Sequence, residues 1–225
     1  MPPIMRLYED VLSNDGALRV ALPALPRMIF IVHGTAVIEG RALSDGEAWH
    51  GEEAVTLTPG SGGVTCWRFE LAAADAADGS VAGRAVVSRQ KLAAAAETLP
   101  AGDLLLRGDS VAFPPGGCAF LHRHQGPGIR CLLEGGIRID THGGSTSYGP
   151  GGAWYESGPD PVFAQCARDR ATRFIRMMIL PRALLGKSSI EYLNPDDKER
   201  PKSQSYKGFA DAPISFLPSR EGGLT

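Results

Sequence analysis

The sequence predicts an all-β fold, two jelly-roll β-barrels in one chain, and three observations predict it. Glycine and proline are abundant, 28 and 17 of 225 residues. They punctuate short apolar runs rich in Val, Ile, Phe and Trp, the profile of a sandwich or barrel rather than a helical bundle. The chain also repeats itself. Gly16–Gly34, GALRVALPALPRMIFIVHG, lies over Gly117–Gly135, GCAFLHRHQGPGIRCLLEG, without a gap. Further on, Asp45–His50 matches Pro150–Tyr155, and Val64–Leu71 matches Arg173–Leu180. Self-similarity of this length is one supersecondary unit used twice.

The elements follow in order. Residues 1–75 form a degenerate N-terminal barrel. Its strands are parted by turn signals such as Glu39-Gly40 and Ser44-Asp45-Gly46. Residues 76–98 are an Ala-rich linker, and KLAAAAETL within it predicts a short helix before Pro100. Residues 99–182 form the second barrel, with a turn at His142-Gly143-Gly144. Residues 183–225, with LNPDDKERPKSQSYKGF at their centre, read as an extended, irregular tail packed across a barrel or a partner subunit.

Composition narrows the function. The net charge is −2 with dispersed Lys and Arg, so there is no basic footprint for nucleic acid and no polybasic membrane patch. The apolar run Met28–Val32 is too short to span a bilayer. The N-terminus MPPIMRLYEDVL has acidic residues where a signal peptide needs its apolar segment, so the chain reads as cytoplasmic. Cys66, Cys118, Cys131 and Cys166 show no zinc-ribbon spacing and read as reduced structural thiols. Pro59-Gly60-Ser61-Gly62-Gly63 lacks the lysine of a phosphate loop. Ser61 and Ser157 lack the setting of a nucleophile elbow, which excludes a serine hydrolase of that kind.

Chemistry concentrates in one place. His122 and His124 lie two apart in FLHRHQGPG. Side chains at i and i+2 of a strand share a face, so two imidazoles can close on one metal ion.

The second copy resembles the cupin superfamily. Gly116, five residues, His122-Arg123-His124 and the strand end LLEGG resemble its first motif, and Gly149–Glu156 resembles its second. The resemblance covers Leu99–Leu180 and, through the repeat, Asp10–Leu71. It implies two cupin-type jelly-roll barrels. Two departures follow from it. The acid of the first motif would fall near Gly128, and the histidine of the second near Val162. Ala21 and Pro23 stand where His122 and His124 stand in the second copy, which puts any metal in the C-terminal barrel.

Strand alternation offers a third ligand. Gly152, Trp154 and Glu156 share a face, and Trp49 and Trp154 match in the repeat as core-facing rings. If Trp154 points inward, so does Glu156; Gly51 takes its place in the first copy. His122, His124 and Glu156 would form a two-histidine, one-carboxylate centre for a divalent metal: Fe, Mn, Ni or Zn. Gln125 and Cys166 are alternative ligands. Counting by twos from His124 brings Arg130 inward, as a clamp for a substrate carboxylate or as a rim salt bridge. Tyr148 lines the mouth or sits in a solvated turn, while His33, His50 and His142 read as structural. The bland alternative for His122 and His124 is a polar pair in a barrel that has lost its metal.

The resemblance implies a metal-dependent small-molecule enzyme, a dioxygenase or a lyase or isomerase working through a metal-stabilised enolate; strand alternation offers Arg130 and Glu156 as its candidate catalytic residues. The alternative is a non-catalytic bicupin that binds or senses a small ligand. Exposed strand edges and the tail suggest a homodimer.

Overall fold

The computed structural model describes residues 1–216. They fall into two compact units, one of Met1–Ala96 with residues 214–216, the other of Glu97–Pro213. Both are built from strands, as their composition predicts.

The first unit holds β1 (Ile4–Leu12), β2 (Val20–Leu22), β3 (Arg27–Ile38), β4 (Arg41–Ser44), β5 (Ala48–Gly51), β6 (Val55–Ala72) and β7 (Val86–Ala95). They form one seven-stranded sheet along the path β4-β3-β6-β1-β7, with β2 on β6 and β5 on β3. Leu12, Ile29, Ile31, Leu57 and Cys66 fill its core. Buried among them is a polar group the alternation pattern does not announce. Arg68 bonds Asp10 and Glu70, and Arg27 bonds Glu70.

The expected helix in the Ala-rich stretch is absent. Its residues form β7, paired with β1 from Ile4↔Ala95 to Leu12↔Val86. Alanine favours helix only weakly against a nine-residue ladder, and without β7 the hydrogen-bonding edge of β1 would be bare. The strand therefore belongs to the first unit.

The second unit stacks two five-stranded sheets. One runs β13 (Ala153–Glu156), β10 (Gly128–Glu134), β15 (Thr172–Pro181), β8 (Leu104–Phe113) and β17 (Ser205–Ile214). The other runs β12 (Gly144–Tyr148), β11 (Ile137–Thr141), β14 (Val162–Cys166), β9 (Cys118–His124) and β16 (Ile190–Tyr192). Both contribute to one core, including Val111, Phe113, Leu132, Ile139, Trp154, Val162 and Phe174. The sheets face one another as an open jelly roll.

The tail is not irregular. It supplies β16 and β17, an edge strand to each sheet, and a single helical turn, α1 (Asp196–Glu199). Residues 217–225 of that tail lie outside the described residues. Arg107 fixes β17, bonding Asp211 and the carbonyls of Leu184 and Lys187. Among the described residues no helix is long and apolar enough to cross a membrane.

Candidate metal centre

β9 places the histidine pair. His122 and His124 are each 5% exposed, while Leu121 and Arg123 between and beside them face solvent. The alternation is that of a half-buried strand, and it brings the imidazoles 4.9 Å apart, edge to face. His122 Nδ1 donates to the carbonyl of Phe120 at 2.7 Å. A carbonyl only accepts, so the proton sits on Nδ1 and the Nε2 lone pair is free for a ligand. His124 Nδ1 lies 3.3 Å from the hydroxyl of buried Ser189.

Glu156 points inward with Trp154, as alternation predicts. Its Oε1 accepts a hydrogen bond from Trp154 Nε1 at 2.9 Å, and its Oε2 lies 4.0 Å from His124 Nε2. His122, His124 and Glu156 each offer one donor atom, and these atoms lie within 4.8 Å of one another. Among the described residues no other group of three or more His, Cys, Asp or Glu side chains converges in this way.

The missing acid of the first motif is explained by the neighbouring strand. Gly128 pairs directly with Glu156 across β10 and β13, so the carboxylate reaches the site from the strand next door. No side chain fits at Gly128 itself. A Cβ there would lie 2.7 Å from the Met177 carbonyl and 2.9 Å from Arg130 Nη1. Val162 stands directly opposite His122 and lines the cavity, so the position where a further histidine was sought is apolar.

Arg130 faces inward, and its guanidinium is engaged within the protein. It is 1% exposed, Nη1 donates to Gly128 O at 2.7 Å, and Nη2 lies 2.7 Å from Glu156 Oε2. Nη2 makes no aligned hydrogen bond, so that contact is an ion pair rather than a directed bond. Burial lowers the Arg130 pKa to about 10, against the attraction of Glu156. Burial also lowers both imidazoles. His124 falls well below its ordinary value, with Arg176 and Arg130 adding to the effect, and His122 falls despite Glu156. Neutral imidazoles beside a carboxylate are the donor set a divalent cation takes. The residues present fit such an ion.

Gln125 is exposed and Cys166 belongs to the apolar core, so neither joins the site. Tyr148 neither lines the mouth nor sits free in a turn. It stacks on Trp154 at 4.9 Å.

Sequence reasoning missed Arg176 and Asp109. Arg176 on β15 is 7% exposed and grips Asp109 on β8 through Nε at 2.9 Å and Nη2 at 2.7 Å. Burial opposes its charge, but Asp109 outweighs that and the pKa is raised. A charge inside the apolar run FIRMMIL was the available signal. A cavity of about 30 Å³ surrounds the histidines, Glu156 and Arg130. It meets a cleft of about 600 Å³ at His124, Arg176, Ile190, Gln204 and Tyr206, which line both.

Among the described residues, the first unit has no counterpart of this centre. Ala21 and Pro23 are exposed while Val20 and Leu22 point into the core, so the inward phase is shifted by one residue. At Gly51, a Cβ would lie 2.7 Å from the Trp49 ring. The indole fills the space beside Gly51, so no side chain can stand at the position that matches Glu156.

No family model matches the sequence. No curated protein matches it either. Solved structures do. A deletion mutant of oxalate decarboxylase from Bacillus subtilis is similar over 89% of this chain and 70% of its own, with 10% identity and a TM-score of 0.56. AerE from Microcystis aeruginosa is similar over 80% and 88%, with 13% identity and a TM-score of 0.55. A salicylate 1,2-dioxygenase from Pseudaminobacter salicylatoxidans is similar over 79% and 71%, with 12% identity and a TM-score of 0.54. At these identities the likeness is one of fold.

Proposed function

We propose that this chain, which shares the cupin fold, is a metal-dependent enzyme acting on a small molecule in its second unit. The observation that carries this is the buried convergence of His122, His124 and Glu156. Two of the similar structures are, by name, a decarboxylase and a dioxygenase, which supports dioxygenation or lyase or isomerase chemistry. When bound, a divalent Fe, Mn, Ni or Zn ion would supply Lewis acidity and a template for an oxygen-bearing substrate, and iron would add dioxygen activation.

The chain's own residues do the rest. His122 and His124 offer neutral nitrogens, the former held in one tautomer by the Phe120 carbonyl. Glu156 offers a carboxylate oriented by Trp154 and charge-balanced by Arg130. The apolar walls Val111, Ile139, Val162 and Phe174 lower the local polarity and strengthen each electrostatic contact. We place the protein in the cytoplasm as a homodimer, a reading supported by four cysteines that form no disulfide and by the edge strands β7, β12 and β17.

One observation favours a second reading, a non-catalytic ligand-binding protein. The Arg130 guanidinium neutralises the Glu156 carboxylate without any metal ion. Metal analysis after loading with Mn(II), Fe(II), Ni(II) or Zn(II) separates the two. The enzyme reading expects about one ion per chain, lost in His122→Ala and His124→Ala and weakened in Glu156→Gln. A wild type that takes up none of the four metals would overturn it in favour of the second.

A further inference from the structure

The two neighbouring cavities share five lining residues and differ in size by more than an order of magnitude, and that difference bears on the substrate. The inner one, about 30 Å³, has room for one or two water molecules. The outer cleft, about 600 Å³, is the size of a drug-sized ligand site. A group that enters the inner cavity must therefore be small, and the bulk of its molecule must stay in the outer cleft.

The cleft has a chemical character of its own. Arg107, Arg176, Lys187 and Lys202 line it against only Asp109 and Asp211, while Ile190, Tyr192, Tyr206 and Ala210 give it apolar walls. Arg107 and Arg176 are each paired with a carboxylate. Lys202 holds three backbone carbonyls of the α1 turn, which carry no net charge. The excess is positive, and it attracts anions.

Arg176 stands at the neck and faces both spaces. Its Nε and Nη2 are committed to Asp109, and its guanidinium carbon lies 5.9 Å from the centre of the Tyr206 ring, which leaves Nη1 as the nitrogen not held by that carboxylate. The carboxylate-binding role considered for Arg130 is better met here, because Arg130 is sealed by Gly128 and Glu156.

We propose that the substrate is an elongated organic carboxylate whose acid group meets Arg176 at the neck and whose apolar body fills the outer cleft. This rests on the proposed function for the reacting end alone; the cleft and its charge stand apart from the metal.

β17 supplies a clean test. Gly208 lines the cleft, and a Cβ built there meets nothing within 4 Å. Gly208→Phe should fill the cleft without straining the backbone. The probes are ω-phenylalkanoates from phenylacetate to 5-phenylvalerate, with oxalate and acetate as short acids and the matching phenylalkanamides as neutral controls. Calorimetric titration of metal-free and metal-loaded protein should show the phenylalkanoates binding at least tenfold tighter than the short acids and the amides. Gly208→Phe should weaken them about tenfold, and Lys187→Glu several-fold, with thermal midpoint and metal content unchanged. The proposal is overturned if no phenylalkanoate binds, if short acids bind as well, or if neither variant changes the affinity. Phenylalkanoate binding to a protein that takes up no metal would sink the enzyme reading and leave this one intact.

Discussion

Arg130 Nη2 lies 2.7 Å from Glu156 Oε2, both side chains buried, in the middle of the candidate metal centre. The pair sets what the site does without a cation. Removing one partner leaves a buried charge alone, which costs about 3–5 kcal/mol. Arg130→Met should therefore destabilise the metal-free protein by roughly that amount, measured by urea denaturation. Arg130→Met combined with Glu156→Gln should recover part of the loss. A single variant within about 1 kcal/mol of wild type would show the pair to be weakly coupled.

Stability should depend on pH through the two imidazoles. Burial, with Arg176 and Arg130, holds His124 far below the ordinary value of 6.5, and burial lowers His122 too. An unfolded chain protonates these rings near that value while the folded, metal-free protein does not. Stability present above it is thus lost as pH falls below it. The denaturation midpoint should drop more steeply between about pH 7 and pH 5 in wild type than in His124→Gln. Equal slopes would contradict the assignment.

In the first unit, Gly51 is required by the Trp49 ring. Gly51→Ala should cost about 1–3 kcal/mol through overpacking. Adding Trp49→Leu should make the double variant more stable than the two single losses sum to, because the ring supplies the clash. Strict additivity would mean that the indole moves aside freely.

The thiols should sort by burial. Cys166 is pushed up to about 11 by desolvation, and Cys66 is pushed up by the same cause. Cys118 is only half-buried. Iodoacetamide at neutral pH should label Cys118 in the native chain and all four cysteines once it is denatured, read by peptide mass spectrometry. Labelling of Cys166 as fast as Cys118 in native protein would contradict the packing of the second core.

Several of these features were legible in the sequence because they are local. The His122–His124 face needs only a period of two, and the inward turn of Glu156 needs only Trp154 beside it. The repeat announced two units. It misled where a shift of one residue mattered. Laying Val64–Leu71 over Arg173–Leu180 sets Trp67 against Arg176. The strand registers instead set Arg68 against it, since Ile29 pairs with Arg68 as Arg130 pairs with Arg176. Each unit thus carries a buried arginine bonded to an aspartate on the neighbouring strand, Arg68 to Asp10 and Arg176 to Asp109. On β2 the inward phase also differs by one residue from that of β9, and Ala21 and Pro23 turn outward.

By itself the sequence determined the all-strand character, the duplication and the histidine pair, since each rests on periodicity within a few residues. Only the tertiary structure decided that the alanines of β7 form a strand, that the tail lines the cleft, that Glu156 stands opposite Gly128, and that Arg130 is paired while Arg176 faces the entrance. Those outcomes depend on which strands become neighbours. Ladder hydrogen bonds and ion pairs between residues far apart in the chain outweigh the weak local preferences of each residue, and strand register fixes which side chains meet.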